Sequence, residues 1–237
     1  MGTVSRETLD AVVEEWDLPA EAGGQFDRLL AALAAEPDPH TTVSDPARAV
    51  DVHVRDSLSA LEVPAVRAAR SVVDIGSGAG FPGLPLAIAL PDARVDLVES
   101  ASRKVAVIGR LADAAGVQNA RPIHARAEER ARGEGASAYD VATARAVAPL
   151  AVLVEYAAPL LRVGGTFVAW KGAAPPEEVS RGAAAAAELG LEVLDPLPVK
   201  PFGDARELNL YLYSKVGETP PNFPRRAGMA AKRPLGA

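Results

Sequence analysis

The sequence predicts a doubly wound α/β fold, a mostly parallel sheet covered by helices on both faces. Three observations carry that prediction. From Ser71 onward, short β-branched runs alternate with helical segments. A glycine-rich turn follows the first of these runs directly. Two extended runs with no long helix between them then close the regular part of the chain, which points to an antiparallel strand at one edge of the sheet.

Before Ser71 the pattern is helical. Arg6 to Trp16 and Ala20 to Ala35 carry apolar residues at helical spacing, and Pro19 suits a first turn. The run from Pro37 to His40 breaks the second helix. Ser44 or Asp45 can cap a third, with Pro46 in its first turn, continuing to about Leu61. After it, SVVDI (71–75) reads as a buried strand, followed by the glycine turn and a helix through LPLAIAL. RVDLVE (94–99) is the next strand and Lys104 to Ala115 the next helix. Arg121 to His124 and YDVATA (139–144) are further strands, and Leu150 to Leu161 a helix. GTFVAW (165–170) follows, then an Ala-rich helix to Leu189, then the extended runs LEVLDPLPV and ELNLYLYS. The expected organisation is an N-terminal helical extension (1–65), the α/β domain (66–216) and an irregular basic tail (217–237).

Composition removes several kinds of chemistry. A chain of 237 residues, 49% hydrophobic and 24% charged, can bury a core without cross-links. It has no cysteine, which excludes disulfides, zinc–thiolate sites, iron–sulfur clusters and thiolate nucleophiles. The histidines, at 40, 53 and 124, never fall at i, i+4, so no metal is expected. With neither a leader-like apolar core nor an apolar run of about 20 residues, a cytoplasmic protein without membrane contact is expected. The net charge of −6 argues against a uniformly basic nucleic-acid binder and leaves room for a local basic patch.

The strongest signal is VVDIGSGAGFPG, Val72 to Gly83. Gly76, Gly78 and Gly80 stand between a strand and a helix, where glycine lets the backbone approach a ligand and helix N–H groups face it. A dinucleotide fingerprint, G-x-G-x-x-G, would need glycine at position 81, and that residue is Phe81. The pattern is acid-x-G-x-G-x-G, with Asp74 as the acid, which is the usual S-adenosylmethionine (AdoMet) pattern. An aspartate beside the turn suits a cationic ligand better than a pyrophosphate. Glu99 ends the second strand 19 residues beyond Gly80, where a carboxylate can accept both ribose hydroxyls of a nucleoside. An AdoMet-dependent methyltransferase with a seven-stranded, Rossmann-like sheet is therefore expected.

Absent residues narrow the substrate. Methylation at pyrimidine C5 needs a cysteine nucleophile. Exocyclic-amine methylation typically uses an N/D-P-P-aromatic tetrad after the fourth strand, where this chain has TARAVAP (143–149). A ring nitrogen such as guanine N7 attacks through a free lone pair and loses no proton, so positioning suffices.

Six motifs in order then resemble one family. DIGSGAGFPG, HVRDSL (53–58), RAEE (126–129), ARA (144–146), WKG (170–172) and the tail FPRRAGMAAKRPL are similar to the RsmG family, also called GidB, from about Thr41 to the C-terminus. The resemblance implies methylation of guanine N7 in 16S ribosomal RNA or the small ribosomal subunit, with AdoMet as cofactor. A monomer is expected, although the sequence leaves the oligomeric state open. Gly76 and Phe81 match positions that contact AdoMet, with Ser77, Gly78, Gly80 and Glu99 completing the cofactor set. Ala127 and Glu128 match the adenine loop, and Arg145 matches the arginine between cofactor and target base, an orienting residue with no general base beside it. Arg103 and Arg126 align with RNA-side positions. Lys171, Arg225 and Arg226 are further candidate RNA contacts. The chain departs from the family at Pro39, His40 and Thr41, where Asn-Leu-Thr is common, and at Glu99, where aspartate is frequent.

Blander readings stand beside these. Arg103 and Lys104 can be solvated, Arg126 can form a surface ion pair with Glu128 or Glu129, and His53 and Asp56 can be a local helix pair. Arg225, Arg226, Lys232 and Arg233 can belong to a solvated terminus. The rival functions are a small-molecule AdoMet-dependent methyltransferase, a non-catalytic AdoMet- or ribosome-binding protein and, more remotely, a dehydrogenase.

Overall fold

The computed structural model describes residues 5–41, 43, 45–145, 148–203, 205 and 208–236. The Ser5 hydroxyl caps α1 (Arg6–Trp16) by accepting from the Thr8 N–H at 3.2 Å. Leu9, Val12 and Trp16 form its buried stripe, and Phe26, Leu29, Leu30 and Leu33 form that of α2 (Ala22–Ala35). α2 starts later than expected because residues before it close a turn, in which the Pro19 carbonyl accepts from the Ala22 N–H.

The next helical run is composite. Asp45 caps α3 (Pro46–Ala49) by accepting from the Arg48 N–H at 2.7 Å, while Ser44, the other candidate cap, lies outside the described residues. The run widens into a π-helical stretch, Val50–Arg55, returns to α4 (Asp56–Leu58) and ends in a 3₁₀ turn, Ser59–Glu62. A short α5 (Pro64–Arg67), not expected from the pattern, leads into the sheet.

The α/β part contains β1 (Ser71–Ile75), α6 (Gly83–Ala89), β2 (Arg94–Glu99), α7 (Ser102–Ala115), β3 (Ala120–His124), α8 (Ala127–Arg132), β4 (Tyr139–Arg145), α9 (Leu150–Ala157), β5 (Leu161–Gly172) and α10 (Pro176–Glu188). It closes with β6 (Leu191–Val193), β7 (Leu197–Val199), β8 (Leu208–Lys215) and α11 (Met229–Lys232). The sheet order is β3-β2-β1-β4-β5-β8-β6, with β7 also on β8. β1 to β5 run parallel, and the order reverses between β1 and β4. The carboxyl ends of strands at such a switch point are where open α/β sheets bind ligands.

Two expectations change here. The sheet has eight strands where seven were expected, because the LEVLDPLPV run splits into β6 and β7 around Pro196. The antiparallel strand, β8, is also one place in from the edge, pairing β5 on one side and β6 and β7 on the other. Pro198, which has no N–H, sits in the outer strand, where a missing donor is tolerated. The helix expected to reach Leu161 ends at Ala157, since Pro159 cannot supply the next helical N–H, and Leu161 opens β5.

Apolar residues fill both faces of the sheet. On one face, Leu9, Phe26, Leu29, Val54 and Leu58 of the N-terminal helices share a cluster with Leu84, Leu97, Ile108 and Leu111. On the other, α8, α9 and α10 cover Val73, Val98, Phe167 and Ala169. Among the described residues no helix is long and apolar enough to cross a membrane.

Candidate active site

The glycine turn leaves β1 under backbone constraint. Gly76, Gly78 and Gly80 all have positive φ, at 69°, 60° and 98°. The Gly76 N–H donates to the Val98 carbonyl at 2.8 Å, the Ser77 hydroxyl to the Asp74 carbonyl at 3.0 Å, and the Gly80 N–H to the Ser77 carbonyl at 2.7 Å. Two of the glycines serve different needs. A Cβ on Gly80 would stand 2.6 Å from Leu84 Cδ1, so that glycine permits close packing of the turn on α6. A Cβ on Gly78 would find nothing nearer than the Gly76 carbonyl at 3.9 Å, so that glycine leaves open space above the turn.

Asp74 does not face that space. Its carboxylate is fully buried, accepting from the Gly83 N–H at 3.2 Å and the Thr143 hydroxyl at 2.9 Å. Burial pushes its pKa up from 3.8 to about 6. It joins β1, β4 and the first residue of α6 from behind the turn, so direct contact with a cationic ligand, suggested by its place in the sequence, is not available to it.

Glu99 is 7% exposed and lies across the turn. One carboxylate oxygen accepts from the Gly78 N–H at 3.1 Å and the other from the Ala101 N–H at 2.8 Å. Each oxygen keeps capacity for a further donor. A fixed acceptor pair beside an open glycine cradle fits a nucleoside with a vicinal diol.

The opposite edge is the start of α8. Ala127 and Glu128 are buried there. Glu129 accepts from the Arg126 N–H at 2.9 Å, and Glu128 Oε1 accepts from the Gly228 N–H of the C-terminal tail at 2.8 Å. Arg103 and Arg126 are exposed. In place of the surface ion pair considered for Arg126, Glu129 takes its backbone N–H in a capping arrangement at the start of α8.

Arg145 ends β4 at the switch point. Its Nη1 donates to Asp56 Oδ2 at 2.8 Å and to the Val52 carbonyl at 2.9 Å, and its guanidinium lies 5.9 Å from the Phe81 ring centroid. Phe81 in turn stacks on His53, with ring centroids 4.4 Å apart. Burial, reinforced by the Arg145 charge, lowers the His53 pKa to about 4, so the ring is neutral near pH 7. Its Nε2 meets the Thr41 hydroxyl at 3.1 Å. Burial raises the Asp56 pKa against the opposing pull of Arg145. His53 Nδ1 and Asp56 Oδ1 are buried without a hydrogen-bond partner among the described residues. His53 and Asp56 thus form one cluster with Phe81 and Arg145 and are not the local helix pair considered from spacing. Ala146, after Arg145, lies outside the described residues.

Two candidate RNA contacts are occupied elsewhere. Lys171 pairs with Glu178 at 2.7 Å and is half-buried. Arg225 pairs with Glu155, which is 1% exposed. In each case a carboxylate on the covering helix layer pairs with the cation. Arg226 is exposed and without a partner among the described residues. Thr143, His53, Asp56 and Glu155 were not assigned from the sequence. For His53 and Asp56 the signal was present in their i, i+3 spacing within HVRDSL.

The family model described as GidB, rRNA small subunit methyltransferase G, matches residues 34–201. A protein of Rubrobacter xylanophilus named ribosomal RNA small subunit methyltransferase G is 46% identical over 188 residues, covering 77% of this chain and 72% of that one. Proteins of the same name from Roseiflexus castenholzii and Clostridium perfringens are 43% and 36% identical, the first covering 82% of this chain and 83% of its own, the second 82% of each. Among solved structures, a SAM-dependent methyltransferase from Aquifex aeolicus superposes with a TM-score of 0.57 at 16% identity, covering 76% of this chain and 99% of that one. Aeropyrum pernix fibrillarin, solved with natively bound S-adenosyl-L-methionine, gives 0.50 at 21% identity, covering 62% and 67%. At these identities the structural likeness speaks for the fold alone.

Proposed function

We propose that this chain, which belongs to the GidB family of rRNA small subunit methyltransferase G proteins, transfers the AdoMet methyl group to N7 of a guanine in small-subunit (16S) rRNA. The observation that carries this reading is Arg145, a cation fixed between the glycine turn and the N-terminal helical segment. A base-orienting group belongs at that junction.

The backbone of Gly76 to Gly80, Ser77, Phe81 and Glu99 would hold the cofactor, with the Ala127–Glu128 edge receiving its adenine. Bound there, the cofactor supplies an electrophilic methyl group on a sulfonium. The protein's part is orientation. Guanine N7 loses no proton on attack, so the site needs no free base. The acids around it are engaged accordingly: Asp56 by Arg145, Asp74 by Thr143 and Gly83, Glu99 by the turn. Arg145 would orient the base, and the exposed Arg103, Arg126 and Arg226 would meet phosphates. A guanine stacked in a duplex cannot reach such a cleft, so a looped or splayed target is implied.

The test is methyl transfer from labelled AdoMet to small-subunit particles from cells lacking the corresponding enzyme, with cleavage mapping for 7-methylguanine. One labelled guanine is the expected result. Label at another atom would overturn the N7 assignment. No label on RNA, with AdoMet bound, would move the substrate to small molecules.

A further inference from the structure

We infer that the C-terminal tail is a wall of the cofactor pocket, and that Arg225 is a positioning residue holding it in place. This rests on the reading that the Ala127–Glu128 edge receives the adenine.

The tail is folded onto α8 and α9 at three points. Arg225 Nε donates to Glu155 Oε1 at 2.7 Å, and its Nη2 donates both to Glu155 Oε2 and, at 2.8 Å, to the Arg233 carbonyl. One guanidinium therefore closes the 225–233 loop and pins it to α9. Arg132 of α8 donates to the Pro224 carbonyl at 2.9 Å. Between these pins, Gly228 adopts φ 79° and presents its N–H to Glu128 Oε1 at 2.8 Å. A Cβ on Gly228 would meet nothing within 4 Å, so glycine is needed there for the backbone conformation alone.

Burial separates this arrangement from a solvated terminus. Glu155 is 1% exposed and Glu128 3%. A carboxylate that deep requires a partner, and the tail provides one for each. Phe223 and Leu235 pack on the apolar cluster beneath α8 and α9, and Ala230 is 1% exposed. If the tail lifts, Glu128 loses the donor that fixes its carboxylate, and the edge beside it loses its register. Arg226, Lys232 and Arg233 are exposed. The basic cluster is thereby divided: Arg225 acts inward on the cofactor edge, and the exposed cations face outward.

The test compares full-length Arg225→Ala/Glu155→Gln with wild type and with Arg226→Ala. The double change avoids leaving a buried charge unpaired, and circular dichroism reports whether the fold is kept. Calorimetry gives AdoMet affinity, and filter binding at fixed salt gives affinity for small-subunit rRNA. The double variant should bind AdoMet about tenfold more weakly, the scale of one lost charge-assisted hydrogen bond, with RNA affinity within about twofold of wild type. Arg226→Ala should do the reverse. If the double variant unfolds, Arg132→Ala, which frees the same segment at Pro224, should weaken AdoMet binding about threefold. Unchanged AdoMet affinity in a folded tail variant, with RNA binding lowered, overturns the inference. A wild-type chain that binds no AdoMet would instead sink the functional reading beneath it.

Discussion

Replacing Asp74 with asparagine separates the stability of the glycine turn from its function. A buried carboxyl whose pKa rises from 3.8 to about 6 costs the folded state about 3 kcal/mol once ionised, at about 1.4 kcal/mol per tenfold in proton affinity. Since the folded pKa lies above the unfolded one, the sign is the reverse of that for a salt-bridged aspartate. The penalty is absent below about pH 3.8, grows as pH rises, and is complete above about pH 6. Asparagine keeps the local bonding. Its carbonyl can accept from the Gly83 N–H and its amide can donate to the Thr143 hydroxyl, which turns to the Val73 carbonyl 3.4 Å away. Urea unfolding followed by circular dichroism at pH 4.5 and 7.5 reads the difference. Asp74→Asn should be more stable than wild type by about 2–3 kcal/mol at pH 7.5 and by less than about 1 kcal/mol at pH 4.5. A difference that does not change with pH, or a variant less stable at pH 7.5, would refute the argument. The Asp74 charge lies behind the turn and reaches a bound sulfonium only through space. AdoMet affinity should therefore fall more than affinity for S-adenosylhomocysteine, which lacks the sulfonium charge.

Other perturbations follow from the same geometry. Gly80→Ala drives a Cβ to 2.6 Å from Leu84 at φ 98° and should cost about 3 kcal/mol in urea unfolding, whereas Gly78→Ala should cost about 1 kcal/mol yet abolish measurable AdoMet binding. Arg145→Ala strands buried Asp56, so about 3 kcal/mol of stability should go together with methyl transfer. Adding Asp56→Asn should restore most of the stability and none of the rate. The His53 pKa lies at about 4 against 6.5 unfolded, so its contribution is whole above pH 6.5 and declines as pH falls towards 4. His53→Gln should flatten that part of the stability profile, and an unchanged profile would remove His53 as its source.

Much of the fold was legible because its strongest signals are local. β1 and β2 take the bounds that their β-branched runs suggest, and α1 those of its apolar period. Errors gathered where local and long-range forces compete. The apolar run after Leu150 continues past Pro159, and the period alone hid the helix end. The glycine turn was readable because its bonds are local, and Glu99 because a single strand–helix–strand unit brings the end of β2 back to the turn 21 residues on. Asp74 was found by pattern and misread in orientation, since a motif does not say on which side of a turn a side chain lies. Arg225 could not be placed from sequence because its partner, Glu155, is 70 residues away.

The N-terminal segment shows why such a site cannot be read from the sheet alone. An arginine ending a parallel strand has several rotatable bonds, and the sheet fixes none of them. Here the restraint comes from the π-helical stretch and the first residue of α4, where the Val52 carbonyl and the Asp56 carboxylate both take bonds from one nitrogen of Arg145. The same segment is held to the sheet from another side. Trp170, near the end of β5, donates to the Asp56 carbonyl at 3.0 Å and to the Ser59 hydroxyl at 3.2 Å. His53 stacks on Phe81 from within it. Residues 53 to 59 therefore touch the ends of β4 and β5 and the glycine turn at once. A wider helical turn alters which groups face inward, and π-bulges recur at functional sites for that reason. The hydrogen-bond register of a helix is set by these tertiary partners, which is why a periodic apolar pattern gave its existence and concealed its purpose.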